Sequence, residues 1–304
     1  MSGNLKTYFE LHFVVVLLGF TGILGKLISL PAPELVVFRM FIAFISLFFI
    51  LKFQKVSIRT SKKLLWSSFA VGFVVAAHWT TFFLAIKLSN VSVALGLLGV
   101  GTLFTALLEP LVLKKKLSAL ELIVAVFIIA GIYIIFRFEG NYFWGILTAL
   151  ISYFLSSLFS AFNKKLSHIY DSRVISLWEL IFGFALAAIA LPFLAPMTDS
   201  LFWPDWKDYI YLILLGSICT AYAFTATIKL MQKLSAYLVV LHINLEPVYA
   251  IIIAYFLFGA SEHMSMGFYV GASMITVSVL FFPYVRKKLN DRQKRRAERL
   301  VPRI

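Results

Sequence analysis

Three side chains that can bind a ligand or a proton lie together in one apolar run late in the chain. Glu246 occupies the middle of residues 234–258, with His242 four residues before it and Tyr249 three residues after it. These spacings place all three on one face of a helix, and Pro247 lacks a backbone donor beside them. Because hydrocarbon disfavours the charged form of a carboxylate, we expect Glu246, assisted by His242, to titrate while a substrate binds. The alternative is a buried carboxylate that only fastens this helix to a neighbour.

A second set of binding side chains combines a histidine with aromatic rings. His78, Trp79 and Thr81 follow one another closely in the third apolar run, and an aromatic face can hold an ammonium group. Tyr153 and Tyr222 lie near the middle of two other runs and are predicted to line the same substrate pocket. Packing between helices explains Trp79 equally well.

Two further charged side chains lie inside apolar runs. Arg39 is in the second run and Glu179 is in the seventh, at roughly equivalent places. A charge in the bilayer costs at least about 2.5–3.5 kcal/mol, so it faces a cavity or a partner. About ten residues of depth separate the two, which is roughly 15 Å along a helix axis. We therefore expect no direct pair between them, and each is predicted to gate or couple transport or to brace its own helix.

The composition indicates that membrane helices position these residues. Of the 304 residues, 61% are hydrophobic and 14% are charged, and the mean hydropathy is +0.93. Soluble domains are about 45–50% apolar and about 25% charged, so a soluble enzyme is excluded. A membrane helix needs about 20 apolar residues. Such runs lie at 11–30, 34–52, 64–87, 91–113, 118–137, 142–163, 174–195, 206–229, 234–258 and 265–285. We predict an all-α integral membrane protein with ten transmembrane helices.

The distribution of basic residues predicts the orientation. With a cytoplasmic N-terminus, 23 of the 28 Lys and Arg residues lie in inner segments, four lie in outer segments, and Arg39 lies within a helix. This asymmetry predicts that both termini are cytoplasmic. We expect the membrane to be a bacterial inner membrane. The basic tail 286–304 is explained by anionic lipid headgroups, so membrane lipid is the predicted partner of this tail and nucleic acid is not.

Weak internal similarity divides the chain into two halves. Ile86-Lys87-Leu88 recurs as Ile228-Lys229-Leu230, and Leu117-Ser118 matches Met264-Ser265. Because the matches keep their order along the chain, we predict a first five-helix repeat at 1–138 and a second at 139–285. The basic tail 286–304 follows the second repeat. Because five is odd, the second repeat enters the membrane from the opposite side. Inverted repeats are typical of secondary transporters, whose substrate site lies between the halves.

Several short motifs resemble the EamA branch of the drug/metabolite transporter superfamily over about residues 8–285. They are Gly19-Phe20-Thr21-Gly22-Ile23-Leu24-Gly25-Lys26, Phe38-Arg39, His78-Trp79, Ala85-Ile86-Lys87-Leu88-Ser89 and Leu245-Glu246-Pro247. The resemblance implies export or exchange of a small metabolite, such as an amino acid, by alternating access. It also implies a central pocket built from both halves.

Catalytic and cofactor motifs do not support an enzyme. Gly19 to Lys26 lacks Walker A spacing, and the five histidines do not cluster at metal-ligand spacing. We therefore expect no cofactor, no metal and no ATP-driven step, and a small-molecule substrate as the partner. Two alternatives stay open, namely a receptor or scaffold without transport and a nucleotide-sugar exchanger. A nucleotide-sugar exchanger would be expected to have a lysine-rich nucleotide pocket, and the membrane midplane predicted here lacks lysine. The sequence also leaves open a homodimer.

Overall fold

The computed structural model describes residues 5–113, 119–194, 204–233 and 242–300, and every regular element in these ranges is a helix. In chain order the helices are α1 (Leu5–Leu27), α2 (Ala32–Phe53), α3 (Lys62–Leu88), α4 (Val91–Gly96), α5 (Val100–Leu113), α6 (Ala119–Phe138), α7 (Phe143–Ser167), α8 (Ser172–Leu194), α9 (Trp206–Ile213), a π-helical segment (Leu214–Tyr222), α10 (Ala223–Lys233), α11 (Glu246–Phe258) and α12 (Met266–Leu300). Short 3₁₀ turns lie at Gly140–Tyr142 and Gly259–Glu262.

The helix lengths confirm a multi-pass membrane protein. Within the described ranges, six helices are long and apolar enough to cross a membrane, and two shorter apolar helices occur at Ile123–Phe138 and Met266–Phe281. The number ten stays a prediction. The fourth predicted span is divided into α4 and α5 by a turn, and residues 234–241 of the ninth lie outside the described ranges.

Local hydrogen bonds explain where several helices begin. The Ser61 hydroxyl accepts a 3.2 Å bond from the Leu64 N–H at the start of α3. The Asn90 side chain accepts a 2.8 Å bond from the Val93 N–H at the start of α4. Side chains of this kind satisfy N–H groups that have no partner inside the helix. The polar residues in these breaks therefore set the helix boundaries.

The two halves of the chain pack on each other reciprocally. The contact of α3 with α8 is matched by that of the π-helical segment with α2, in which the two halves have exchanged places. The contact of α5 with α7 is matched in the same way by that of α11 with α1. Helices α2 and α8 also pair, as do α6 and α12. This exchange is the contact pattern expected of two repeats related by a pseudo-twofold axis.

Glycines allow the closest of these crossings. A Cβ atom added to Gly72 of α3 would lie 2.6 Å from the Glu179 carbonyl oxygen and 3.0 Å from the Gly183 nitrogen of α8. A Cβ atom added to Gly131 of α6 would lie 2.9 Å from the Gly271 carbonyl oxygen of α12. Small residues at such crossings let membrane helices approach at backbone distance.

Candidate functional site

Arg39 is the centre of a buried polar cluster between the two halves. It is 2% exposed, and its Nε donates a 2.7 Å hydrogen bond to Thr220 Oγ1 of the π-helical segment. Its guanidinium carbon lies 4.0 Å from the centroid of the Trp79 ring and 5.2 Å from that of Phe83. The Nη1 atom is buried without a hydrogen-bond partner. A planar guanidinium with a free donor is suited to bind an anionic group.

The π-helical segment positions Thr220 for this contact. Thr220 Oγ1 donates a 2.6 Å bond to the Leu215 carbonyl five residues earlier, and it accepts the bond from Arg39. The segment lies tightly on α2, because a Cβ added to Gly216 would be 3.1 Å from the Arg39 carbonyl oxygen. π-helical turns often occur at functional sites. Sequence reasoning missed Thr220, whose only signal is a hydroxyl beside Cys219 in an apolar run.

Glu246 lies in the same region, at the first turn of α11. It is 7% exposed, and its Cγ would lie 3.7 Å from a Cβ added to Gly19 of α1. The carboxylate is close enough to interact electrostatically with Arg39 and with Tyr153. No ion pair joins Glu246 to Arg39, both of which lie in described segments. The cluster therefore holds a positive and a negative group that are near each other but not directly paired.

Helices α3 and α7 close one side of this cluster. His78 Nδ1 lies 2.8 Å from Ser152 Oγ and 2.9 Å from the Ser152 carbonyl oxygen. The Tyr153 hydroxyl donates a 2.7 Å bond to the Ala94 carbonyl. Arg39 also acts electrostatically on His78. We call Arg39, Trp79, Tyr153, Thr220 and Glu246 the central cluster, with His78 at its edge.

The recorded contacts of three other predicted site residues, Glu179, Thr81 and Tyr222, go to residues outside the central cluster. Glu179 accepts a 3.0 Å bond from Asn163 Nδ2. The Thr81 hydroxyl donates to the carbonyls of Ala77 and His78 in its own helix. Tyr222 is 41% exposed.

The start of α11 falls between His242 and the other two residues predicted to share its face, Glu246 and Tyr249. The helix begins at Glu246, and residues 244 and 245 form a turn, which fits Pro247 because proline favours the first turn of a helix. The His242 ring packs against His12 of α1, with 4.9 Å between ring centroids, and Glu246 lies beside Gly19 of the same helix. Tyr249 is 36% exposed, whereas Glu246 is buried.

Comparisons with known proteins agree with this architecture. No curated protein sequence matches the chain. One solved structure, described only as a crystal structure of a protein, is similar with a TM-score of 0.66 and 18% identity, over 92% of this chain and 97% of that chain. At this identity, the likeness shows the fold alone. The model of the EamA-like transporter family matches the chain twice, at residues 7–137 and 143–283. Two matches that together span most of the sequence show that the chain belongs to the EamA-like transporter family, the membrane transporters of the drug/metabolite type.

Proposed function

We propose that the protein is a secondary carrier that exports a small zwitterionic metabolite, such as an amino acid, across the cell membrane by alternating access. The observation that carries this proposal is the free Nη1 of Arg39 in a buried cluster that also contains Glu246. A buried charge without a direct partner is costly. A substrate that brings the opposite charge to each group offsets that cost.

The chemistry of the cluster favours a carboxylate and an ammonium group in one substrate. Arg39 offers a donor to the carboxylate, while the Trp79 ring and Thr220 hold the guanidinium in place. Glu246, the first residue of α11, offers its carboxylate oxygens as acceptors to the ammonium group. The ring of Tyr153, whose hydroxyl bonds the Ala94 carbonyl, adds a surface for an apolar or aromatic side chain.

The arrangement of the cluster suits alternating access. Arg39 and Trp79 come from the first half of the chain, whereas Thr220 and Glu246 come from the second, so a rocking motion of one half changes access to the substrate. At the end predicted to face outward, Lys26 of α1 forms a 2.7 Å ion pair with Glu262. Asp208 there accepts bonds of 3.0 and 2.5 Å from the Ser29 N–H and hydroxyl. These contacts between the halves support a conformation closed on the outer side.

Glu246 is the group proposed to couple transport to protons. In this cycle its protonated form releases the ammonium group of the substrate, and its ionised form binds the next one. We assign the coupling to Glu246 because it is the carboxylate of the central cluster, with His242 in the assisting role expected from the sequence, whereas the recorded hydrogen bond of the Glu179 carboxylate comes from Asn163.

Counterflow in proteoliposomes tests the proposal. Vesicles loaded with an unlabelled mixture of amino acids are expected to accumulate a labelled neutral amino acid. Arg39→Lys is expected to lose at least about 90% of this flux, because lysine lacks the planar guanidinium of arginine, which can donate two parallel hydrogen bonds. Arg173→Lys is the matched control, since Arg173 lies in the first turn of α8 and bonds Asp171 and Gln54 outside the central cluster. Binding without flux would favour a receptor, and flux of nucleotide sugars alone would contradict the substrate class.

A further inference from the structure

A second buried polar group lies apart from the central cluster, where α3, α7 and α8 meet. Its members are Ser68 of α3, Asn163 of α7, and Ser176 and Glu179 of α8, and none is more than 2% exposed. One hydrogen bond is recorded among them, from Asn163 Nδ2 to Glu179 Oε2 at 3.0 Å. Four oxygens remain buried without any partner: Ser68 Oγ, Asn163 Oδ1, Ser176 Oγ and Glu179 Oε1.

Helix spacing and two recorded contacts indicate that these four residues share one region between the helices. Ser176 and Glu179 are three residues apart, and Gly183 follows four residues later, so all three lie on the face of α8 that crosses α3. Gly72 marks the crossing point on α3, because an added Cβ would lie 2.6 Å from the Glu179 carbonyl oxygen. Ser68 is four residues before Gly72 and lies on the same face of α3. Asn163 closes the third side from α7.

Buried polar atoms without partners need a physical explanation, and an isolated ionised carboxylate in a membrane needs a positive partner. Among the described residues, Glu179 takes part in no ion pair, and Asn163 is the one hydrogen-bond partner recorded for its carboxylate. A proton on Glu179 Oε1 would create one hydrogen-bond donor, which could satisfy one of the other three oxygens. A bound cation would be coordinated by all four.

We propose that Ser68, Asn163, Ser176 and Glu179 form a sodium-ion site between α3, α7 and α8. Hard cations bind carboxylate, amide carbonyl and hydroxyl oxygens. One carboxylate balances one positive charge, which favours a monovalent ion over Ca²⁺ or Mg²⁺. Helices α3 and α8 meet at backbone distance at Gly72 and Gly183 beside this group, and for that reason we propose the smaller sodium ion over the larger potassium ion.

The site joins the two halves of the chain, since Ser68 belongs to the first half and the other three ligands to the second. Sodium would therefore stabilise the present packing of α3 on α8. The proposal does not rest on the proposed substrate, because sodium binding can be measured without any transported solute.

The test is the thermal unfolding midpoint of the purified full-length protein, without substrate, in sodium, potassium or choline chloride at equal ionic strength. A ligand that binds only the folded state raises this midpoint with its concentration. We expect a saturable rise with sodium and none with choline. Ser176→Ala should weaken the apparent sodium affinity at least about tenfold, the loss typical even of outer-shell changes at metal sites, and Glu179→Gln should abolish the effect. Ser278→Ala is the control, because that hydroxyl bonds only its own helix and should leave the sodium response unchanged.

Two results would overturn the sodium site. One is an unfolding midpoint that does not distinguish sodium from choline or potassium. The other is a midpoint that responds to pH alone and loses that response in Glu179→Gln, which would assign the group to a proton. If Glu179→Gln does not fold, Ser68→Ala and Ser176→Ala carry the test. An amino-acid counterflow that persists without sodium would leave the proposed function intact, so failure of one proposal is distinguishable from failure of the other.

Discussion

The Arg39 guanidinium and the Thr220 hydroxyl form a 2.7 Å hydrogen bond across the two halves of the chain. The same hydroxyl donates its hydrogen to the Leu215 carbonyl, so toward Arg39 it can act only as the acceptor. One edge of the guanidinium is thereby fixed, and Nη1 is left free beside the Trp79 ring. A π-helical turn in the second half thus sets the orientation of a charge from the first half.

Thr220→Val should therefore impair substrate binding more than folding. Valine keeps the shape of threonine but removes the acceptor for Arg39 Nε, and a lost hydrogen bond to a charged group costs about 1.5–3 kcal/mol. We expect KM for counterflow to rise roughly tenfold or more, with Thr220→Ser close to wild type. Thr227→Val is the control, because Thr227 bonds only the Ala223 carbonyl of its own helix. An unchanged KM in Thr220→Val would remove the positioning role.

Glu246→Gln should give a protein that expresses and inserts but whose transport is lost or no longer depends on pH. Glutamine keeps the shape and hydrogen-bonding capacity of the side chain and cannot titrate. The measurement is the initial counterflow rate across a pH series, with Glu10→Gln at the start of α1 as the control. Wild-type rates with unchanged pH dependence would refute the coupling role, and poor expression would favour a carboxylate that fastens α11 to α1.

Gly72→Ala should destabilise the protein, because the new methyl group would meet the backbone of α8 at 2.6 and 3.0 Å. Overpacking of this kind costs about 1–3 kcal/mol. Gly140→Ala is the control, since nothing lies within 4 Å of the added atom there. The check is the thermal unfolding midpoint in detergent. Equal midpoints for the two variants would show that α3 and α8 can separate without cost.

Glu262→Ala should destabilise the protein more than Lys26→Ala. The Glu262 carboxylate accepts bonds from the Val91 and Ser92 N–H groups at 3.2 and 2.8 Å as well as the ion pair with Lys26. Removing it leaves two buried donors without partners, at about 1–3 kcal/mol each, whereas the Lys26 side chain is 24% exposed and can reach water. The check is the thermal unfolding midpoint, which should be lower in Glu262→Ala than in Lys26→Ala. A lower midpoint in Lys26→Ala would contradict this account of the outer contacts.

The charge distribution predicts that a tag at the C-terminus is inaccessible from outside intact cells. Nine of the basic residues follow Val285, and such segments stay in the cytoplasm. Labelling of the tag should require permeabilised cells, with a tag in the outer segment around residues 196–203 as the accessible control. Labelling in intact cells would reverse the orientation and, with it, the direction assigned to the Lys26–Glu262 contact.

The sequence alone determined the class of the protein and the types of residue at its centre. Apolar runs of about 20 residues can only be membrane helices, because backbone polar groups in lipid must bond within their own segment. Charges such as Arg39, Glu179 and Glu246 are conspicuous in such runs for the same energetic reason. The predicted third and fourth runs also begin within two residues of α3 and α4, whose starts the structure shows to be capped by Ser61 and Asn90.

The tertiary structure decided which of these residues meet. Periodicity along one helix placed His242 with Glu246, whereas in the structure α11 starts at Glu246, and the two residues contact α1 at different depths, His242 at His12 and Glu246 at Gly19. Thr220 joined Arg39 through a π-helical turn, and Gly72 joined the backbone of Glu179 at the crossing of α3 and α8. Each contact connects residues more than 100 positions apart and depends on the relative rotation and depth of two helices. Those quantities are fixed by the packing of the two halves, which local spacing does not encode.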